Sequence, residues 1–276
     1  MIVGATGTLG SRLVRQLAAA GVKPRALVRT REKADAIASL AMPVLGDLLA
    51  PQTLEQAFRG AEHVFVLGQP TADMEALERN AIDAAVSVGA KRIVYMSNFT
   101  AKAGSELRPN HIHGIHERLV ASLGVDWTVL GPTRYMTSFP FNWPSVLNDG
   151  LLLEAGGSGI MTCIDPDDVA AVAVKALTED GHEGQTYKLT SQDAFTAVDL
   201  ARLLSNVVGR EVSVFEGNLQ GAPMMAKYFD LVAAGLYTTT DTLGRLLGRS
   251  PRSYADWLER YLPEIRSRAL NQTAPN

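Results

Sequence analysis

The stretch that decides the fold is MIVGATGTLGSRLV, residues 1–14. An apolar segment leads into Gly4, Gly7 and Gly10, and a helix-like pattern follows at once. In a strand–turn–helix unit, the first glycine permits a tight turn, the second lets the backbone approach a phosphate, and the third lets helix and strand pack closely. The helix N-terminus then offers N–H groups and the positive end of its dipole to a pyrophosphate. We therefore expect a dinucleotide here; a glycine-rich turn without a ligand is the alternative.

Short apolar runs alternate with helix-like segments along the chain. The predicted strands are residues 1–3, 25–28, 42–46, 62–68, 92–97 and 126–131. The main predicted helices are residues 9–20, 73–89, 110–123, 165–179, 196–209 and 253–262. Strands that are apolar throughout are typical of a parallel sheet covered on both faces. We predict an α/β fold with a doubly wound, parallel Rossmann sheet in residues 1–132, completed by later strands, and a smaller C-terminal α/β portion, residues 133–276, that covers the substrate. Because three residues precede Gly4, we expect an unusually short first strand.

Composition excludes several classes of function. The chain has 276 residues, a net charge of −3 and no block of Lys and Arg, which argues against nucleic-acid binding. Cys163 is the single cysteine, so no internal disulfide is possible and a reducing, cytoplasmic setting is expected. No apolar run is as long as the roughly 18–20 residues that span a bilayer, so no membrane partner is expected. We expect a monomer or a homodimer.

The segment LVRTREK, residues 27–33, indicates which dinucleotide is bound. An NAD site usually has an acidic residue about 20 residues beyond the glycines, where it bonds the ribose 2′-hydroxyl. Arg29 stands in that place, with Arg31 and Lys33 close by. A guanidinium suits a 2′-phosphate, so we predict NADP(H) rather than NAD(H). A solvated basic loop is the alternative.

Six motifs carry a family resemblance. They are GATGTLG (4–10), LVRTREKA (27–34), GDL (46–48), YMSN (95–98), HGIHERLVASLGVDWTVLGPTRYM (113–136) and IDPDDVA (164–170). Together they resemble the NmrA-like group of atypical short-chain dehydrogenases/reductases. This group includes NADPH-dependent quinone reductases, triphenylmethane-dye reductases, alkaloid-forming reductases and non-catalytic redox sensors that bind NADP. The resemblance implies a Rossmann fold and NADP(H), and it leaves the reaction open.

The resemblance also implies where the cofactor lies, along the carboxyl ends of the strands, which is where open parallel sheets bind ligands. Besides the three glycines, the implied contacts of the phosphates and adenine are Thr6, Thr8, Leu9, Arg29, Asp47 and Leu48. Those beside the ribose and nicotinamide are Leu67, Gly68, Gln69, Ser97, Asn98, Pro132, Thr133 and Arg134. The hydroxyls of Thr6 and Thr8 are also suitable donors to a phosphate.

A catalytic acid is harder to identify. None of the seven tyrosines has a Lys four residues on, so the Tyr-x-x-x-Lys dyad of ordinary short-chain dehydrogenases is absent. The segment NHIHGIHERL, residues 110–119, lies roughly where that dyad would be, with Asn110 as the expected N-cap. His113 and Glu117 are spaced to pair, so the carboxylate would raise the pKa of the imidazole and make it a proton donor. A structural His–Glu pair is the alternative. Zinc is disfavoured because three ligands do not converge from one regular helix. Tyr135 is a second candidate donor.

Two aromatic and methionine-rich segments, residues 135–143 and 223–229, suggest an apolar substrate wall. The candidate pocket residues are Phe139, Phe141, Trp143, Met224, Met225 and Tyr228. Core packing of the C-terminal portion is the alternative for each. We expect an NADPH-dependent oxidoreductase that transfers hydride to an apolar small molecule, such as a quinone-like, imine or other conjugated acceptor. The alternative is a non-catalytic NADP(H)-binding redox sensor.

Overall fold

The computed structural model describes residues 1–139, 143–217, 219 and 222–272, with side chains up to residue 267. The strands are β1 (Arg25–Val28), β2 (Met42–Leu45), β3 (His63–Val66), β4 (Arg92–Met96), β5 (Asp126–Pro132), β6 (Arg134–Tyr135), β7 (Leu151–Glu154), β8 (Met161–Ile164), β9 (Gln185–Leu189), β10 (Ala194–Phe195) and β11 (Ser213–Glu216). The helices are α1 (Thr8–Ala19), α2 (Arg31–Ile37), α3 (Leu54–Phe58), α4 (Met74–Ser87), α5 (Arg108–Ser122), α6 (Trp143–Asn148), α7 (Pro166–Thr178), α8 (Ala197–Val208), α9 (Pro223–Ala233), α10 (Thr242–Leu247) and α11 (Tyr254–Gln272).

The main sheet belongs to the first of two compact units, which comprises residues 1–132 and 166–189. Its strands are all parallel, in the order β2–β1–β3–β4–β5–β9, and Ile2 joins β1 to β3. Ile2 bridges Ala26 on one side and Phe65 on the other, so the expected short first strand is a single residue. The order reverses at this point, as it does in a doubly wound sheet. The predicted parallel Rossmann sheet is confirmed.

Helices cover both faces of this sheet. Val64, Ile93 and Tyr95 belong to a core cluster that also contains residues of α3, α4 and α5. Phe65 and Val94 alternate with them along the strands and therefore point to the opposite face. Helix α7 contacts β3, β4, β5 and α1 without contributing to that cluster, so it packs on the opposite face. This double cover is why the strands are apolar throughout.

The second unit comprises residues 133–165 and 190–276. In it, β8 pairs parallel with β6 and antiparallel with β10, and β7 pairs parallel with β11. Its core includes Phe139, Tyr254 and Trp257, each almost fully buried. Among the helices that the structure describes, none is both long enough and apolar enough to cross a membrane.

Candidate active site

The glycine turn holds the start of α1 against the first strand. Gly4 has φ +74°, a left-handed conformation that favours glycine. The N–H of Gly7 donates to the carbonyl oxygen of Gly4 at 3.0 Å. A Cβ at position 10 would lie 2.0 Å from that same oxygen, so only glycine permits this packing. Helix α1 then begins at Thr8, behind Gly7, without a side-chain cap. Its first turn is therefore available to an anion.

A crevice opens at the carboxyl ends of the strands beside this turn. It is lined by Val3, Gly4, Thr6, Gly7, Leu27, Val28, Arg29, Lys33, Gly46, Asp47, Leu48, Leu67, Gly68, Gln69 and Leu77. Nine residues that the sequence predicted as cofactor contacts thus meet in one place, namely Gly4, Thr6, Gly7, Arg29, Asp47, Leu48, Leu67, Gly68 and Gln69. Leu9 and Gly10 are buried in the first turn of α1, where Thr8 is exposed. The mixture of apolar walls and a glycine turn suits a flat ring joined to a phosphate.

Two cations stand at the exposed rim of the crevice. Arg29 directly follows β1, and Lys33 lies in the first turn of α2. That helix is capped by the Thr30 hydroxyl, which accepts from the N–H of Lys33 at 3.3 Å. The loop opposite is held by Asp47, whose Oδ1 accepts from the N–H of Leu49 at 3.0 Å. Two cations at this position fit a ribose that carries a 2′-phosphate.

Polar residues cluster where β4 ends. Ser97 is buried and donates its hydroxyl hydrogen to Oε1 of Glu117 on α5. The Asn98 Nδ2 donates to Oδ1 of Asn110 at 2.9 Å, and Asn110 donates to the Thr100 hydroxyl at 2.8 Å. The Asn98 Oδ1 is buried and has no hydrogen-bond partner among the described residues. A buried acceptor without a donor is costly, and a ligand amide would satisfy it. That Ser97 and Asn98 border the nicotinamide stays a prediction.

The expected start of the histidine-bearing helix is wrong by two residues. Helix α5 begins at Arg108 with Leu107 in the N-cap position, because Pro109 is favourable in the first turn. Asn110 is therefore not the N-cap but a buried residue within that turn. Its side chain bonds the loop after β4 instead of the helix backbone. His111, which follows it, accepts from the N–H of Gly104 through Nδ1 at 2.8 Å.

The expected pairing of His113 with Glu117 is also wrong. The His113 Nδ1 lies 2.7 Å from the hydroxyl of Tyr95, and that hydroxyl donates to Oε2 of Glu78 at 2.6 Å. The His116 Nδ1 lies 2.7 Å from the same carboxylate oxygen. Since Tyr95 gives its only proton to Glu78, it must accept from an Nδ1–H of His113. A buried acid on α4 and a tyrosine on β4 therefore hold the two imidazoles.

Burial sets the protonation of this network. It lowers the pKa of His113 to about 4, an effect that the nearby Glu78 carboxylate opposes and that His116 and Lys188 reinforce. His113 is therefore neutral at pH 7, with its second ring nitrogen an acceptor. The sequence predicted the opposite shift, toward a higher pKa. Burial, and then Glu78, also raise the pKa of Tyr95. Neither group is a ready acid near neutral pH.

Glycine at position 68 accommodates the buried acid. A Cβ there would lie 2.2 Å from Oε1 of Glu78. That oxygen is buried, lies 3.6 Å from the His113 Nδ1, and has no hydrogen-bond partner in the part of the chain that is described. Gly68 also lines the crevice, so the network and the crevice share one wall.

Several predicted residues belong to the second unit. Pro132 ends β5, whereas Thr133 and Arg134 lie beyond the boundary, and the Arg134 guanidinium stacks over the Tyr228 ring at 4.6 Å. Tyr135 is half-buried.

The predicted substrate wall is divided between core and surface. Phe139 packs edge-on against Tyr254 with ring centroids 5.4 Å apart, so it is a core residue. Met224 is exposed, whereas Met225 and Trp143 are half-buried. Phe141 lies outside the described residues. The roles of these residues as substrate contacts stay predictions.

The site includes residues that the sequence did not single out. Glu78 and Tyr95 build the buried network, and Lys188 of β9 donates to the backbone oxygen of Asn98 at 3.1 Å. Glu78 could have been recognised in the sequence, because an acidic residue stands at a position of α4 where the helical spacing calls for an apolar one. Lys188 could not, because its partners are distant in the chain.

Comparisons with known proteins agree with this geometry. A family model described as NAD(P)H-binding matches residues 4–180. An NAD(P)H azoreductase of Xenophilus azovorans is 30% identical over 93% of this chain and 96% of its own length. The crystal structure of an NADPH-dependent quinone oxidoreductase of Escherichia coli, complexed with NADPH, has a TM-score of 0.85 and 26% identity, and the match covers 95% of this chain and 99% of that one. The Citrobacter sp. triphenylmethane reductase complexed with NADP(H) has a TM-score of 0.83 and 28% identity, with 94% and 98% covered.

Proposed function

We propose that this NAD(P)H-dependent oxidoreductase prefers NADPH and reduces a flat, apolar, conjugated acceptor such as a quinone. The chain belongs to the NAD(P)H-binding family, as its NmrA-like motifs predict. The observation that carries the proposal is the crevice in which the glycine turn, Arg29 and Lys33 meet. The similar proteins that span nearly the whole chain are named for azo, quinone and triphenylmethane acceptors, which are all conjugated. These names support a reductase over the redox sensor.

The proposed binding residues divide the cofactor into three parts. The turn around Gly7 and the start of α1 would hold the pyrophosphate, and Arg29 with Lys33 the 2′-phosphate. Ser97 and Asn98 would border the nicotinamide, where Asn98 offers its unsatisfied Oδ1. The cofactor supplies a hydride when bound. The chain would bind and orient it.

The test is NADPH consumption, followed by nicotinamide absorbance, with a panel of quinones, azo compounds, imines and triphenylmethane dyes. The dissociation constants of NADPH and NADH are measured by fluorescence on the same preparation. We expect turnover with at least one acceptor class and tighter binding of NADPH. Tight NADPH binding without turnover over the whole panel would contradict the proposed acceptor class. Equal affinity for both cofactors would contradict the role of Arg29 and Lys33.

A further inference from the structure

Reduction of a quinone consumes a proton as well as a hydride, and the expected donor His113 is not a ready source of that proton. Neutral His113 has no acidic hydrogen to spare near pH 7, and Tyr95 has a raised pKa and gives its proton to Glu78. The Tyr-x-x-x-Lys pair is absent from the chain. A different group at the ends of the strands must then act as the acid, or solvent does.

Lys188 places an ammonium group at the end of β4, 3.1 Å from the backbone oxygen of Asn98. It pairs in register with Gly131, so its backbone is on β9, next to β5. Its side chain runs across β5, because a Cβ at position 131 would lie 3.2 Å from the Lys188 Cδ and 3.3 Å from its Nζ. The ammonium then donates to the carbonyl oxygen of Asn98 at the end of β4. Gly131 on β5 thus leaves room for the Lys188 side chain to extend from β9 across β5 to the end of β4.

The surroundings of Lys188 hold its ammonium group in place and connect it to solvent. The Nζ lies 3.8 Å from Oε1 of Glu117, the same oxygen that accepts from Ser97. His113, on the same helix as Glu117, is a further titratable group that interacts with it. About a third of the Lys188 side chain is exposed, so water can restore a proton. Burial lowers the pKa of Lys188 and Glu117 opposes this, which makes the ammonium a stronger acid than a free lysine.

We propose that the Lys188 ammonium, oriented by Glu117 and the Asn98 carbonyl oxygen, supplies the proton that a quinone-like acceptor takes up when it receives the hydride. The inference rests on the proposed function. Hydride adds two electrons and one hydrogen to one oxygen of the quinone, which leaves a hydroquinone monoanion. The N–H bond of Lys188 then breaks, an O–H bond forms on the second oxygen, and the neutral amine takes a proton from water. Asn98 and Glu117 act as positioning residues.

The chemistry of the acceptor separates proton supply from every other effect of Lys188. A quinone needs hydride and a proton, whereas a cationic triphenylmethane dye needs hydride alone at its central carbon. The readout is therefore the ratio of kcat for a p-quinone to kcat for such a dye. The variants are Lys188→Met, which removes the charge, and Lys188→Arg, which keeps the charge but does not release a proton near neutral pH.

A matched control is available on α7. Lys175 lies 3.7 Å from Glu179, and its side chain is 36% exposed, against 3.8 Å from Glu117 and 33% for Lys188. Lys175→Met thus removes a similar ion pair away from the ends of the strands. NADPH dissociation constants and thermal midpoints are measured for every variant, so that binding and folding are followed separately from turnover.

We expect both Lys188 variants to lower the ratio by about 100-fold or more, because a general acid typically contributes about 10²- to 10⁴-fold to the rate. Lys175→Met should leave the ratio unchanged. NADPH affinity should stay within about twofold, since Lys188 is not required to hold the cofactor. In the protein without cofactor, the ε-carbon NMR signal that Lys188→Met removes should titrate at lower pH than a free lysine, because burial lowers the pKa of Lys188. The proposal would be overturned if the Lys188 signal titrates like that of a free lysine or if the ratio is unchanged in Lys188→Met. An equal loss with both acceptors, or a normal ratio in Lys188→Arg, would also overturn it. If the wild type reduces neither acceptor, the proposed function itself fails.

Discussion

The buried position of His113 makes the stability of the protein depend on pH. Its pKa falls from 6.5 to about 4 on folding, so the unfolded chain binds a proton at a higher pH than the folded one. The contribution of neutral His113 to the free energy of unfolding is complete above pH 6.5 and is lost progressively as the pH falls toward 4. Below pH 4 this contribution changes no further. At 1.36 kcal/mol per unit, the shift amounts to about 3 kcal/mol of unfolding free energy.

We expect His113→Asn to remove this dependence. Asparagine can still donate a hydrogen bond to the Tyr95 hydroxyl but does not titrate. The assay is urea unfolding followed by circular dichroism at intervals from pH 7.5 to pH 3.5. The wild-type midpoint should fall by about 1 M more than that of the variant over this range. His111→Asn is the control, since it removes a half-buried histidine of the same helix. If the urea midpoints of wild type and His113→Asn change with pH in parallel, the placement of a neutral His113 in the buried network is refuted.

Three further substitutions test the crevice and the network. Arg29→Asp should weaken NADPH binding by about 10- to 100-fold, which is the contribution of one charge-assisted hydrogen bond, and should change NADH binding little. Arg31→Asp, just outside the crevice, is the control. Equal losses of affinity for both cofactors would contradict the assignment of Arg29 to the 2′-phosphate. Gly10→Ala should lower the free energy of unfolding by about 1–3 kcal/mol and abolish tight NADPH binding, because the alanine Cβ would lie 2.0 Å from the Gly4 carbonyl oxygen. Wild-type NADPH affinity of this variant in calorimetry would contradict the required close packing at position 10. Tyr95→Phe should destabilise the protein by about 1–3 kcal/mol, since the buried Glu78 and the largely buried His113 each lose the hydrogen bond to the Tyr95 hydroxyl. An unchanged urea midpoint would argue against these hydrogen bonds.

The sheet and the glycine turn were predictable because their signals are local. Apolar runs of four to six residues bounded by helical patterns reveal buried parallel strands. Gly4 and Gly10 are required by contacts within one strand–turn–helix unit, so their spacing alone indicates the geometry. Arg29 could be placed in the crevice because it directly follows its strand. In each case the residues that decide the structure are neighbours in the sequence.

The polar centre of the site was not predictable in the same way. The spacing of His113 and Glu117 allows them to pair, but residues on other elements compete for both. Glu78 lies at a core position of α4, between the buried Met74 and Ala81, and an acid at such a position predicts a buried polar partner without naming it. Lys188 meets Asn98 across 90 residues of chain, which no local pattern reveals.

The close approach of Gly68 to Glu78 has a consequence for how the sequence can diverge. While position 78 carries a glutamate, any Cβ at position 68 collides with its carboxyl group. Shortening residue 78, for example to alanine, removes the atoms that a Cβ at position 68 would meet first, so the effects of substitutions at the two sites are coupled. A library that varies one site at a time would score position 68 as intolerant, whereas one that varies both would recover compatible pairs. Mutational paths through this part of the protein are therefore ordered: the acid on the helix must be lost before the loop can gain a side chain.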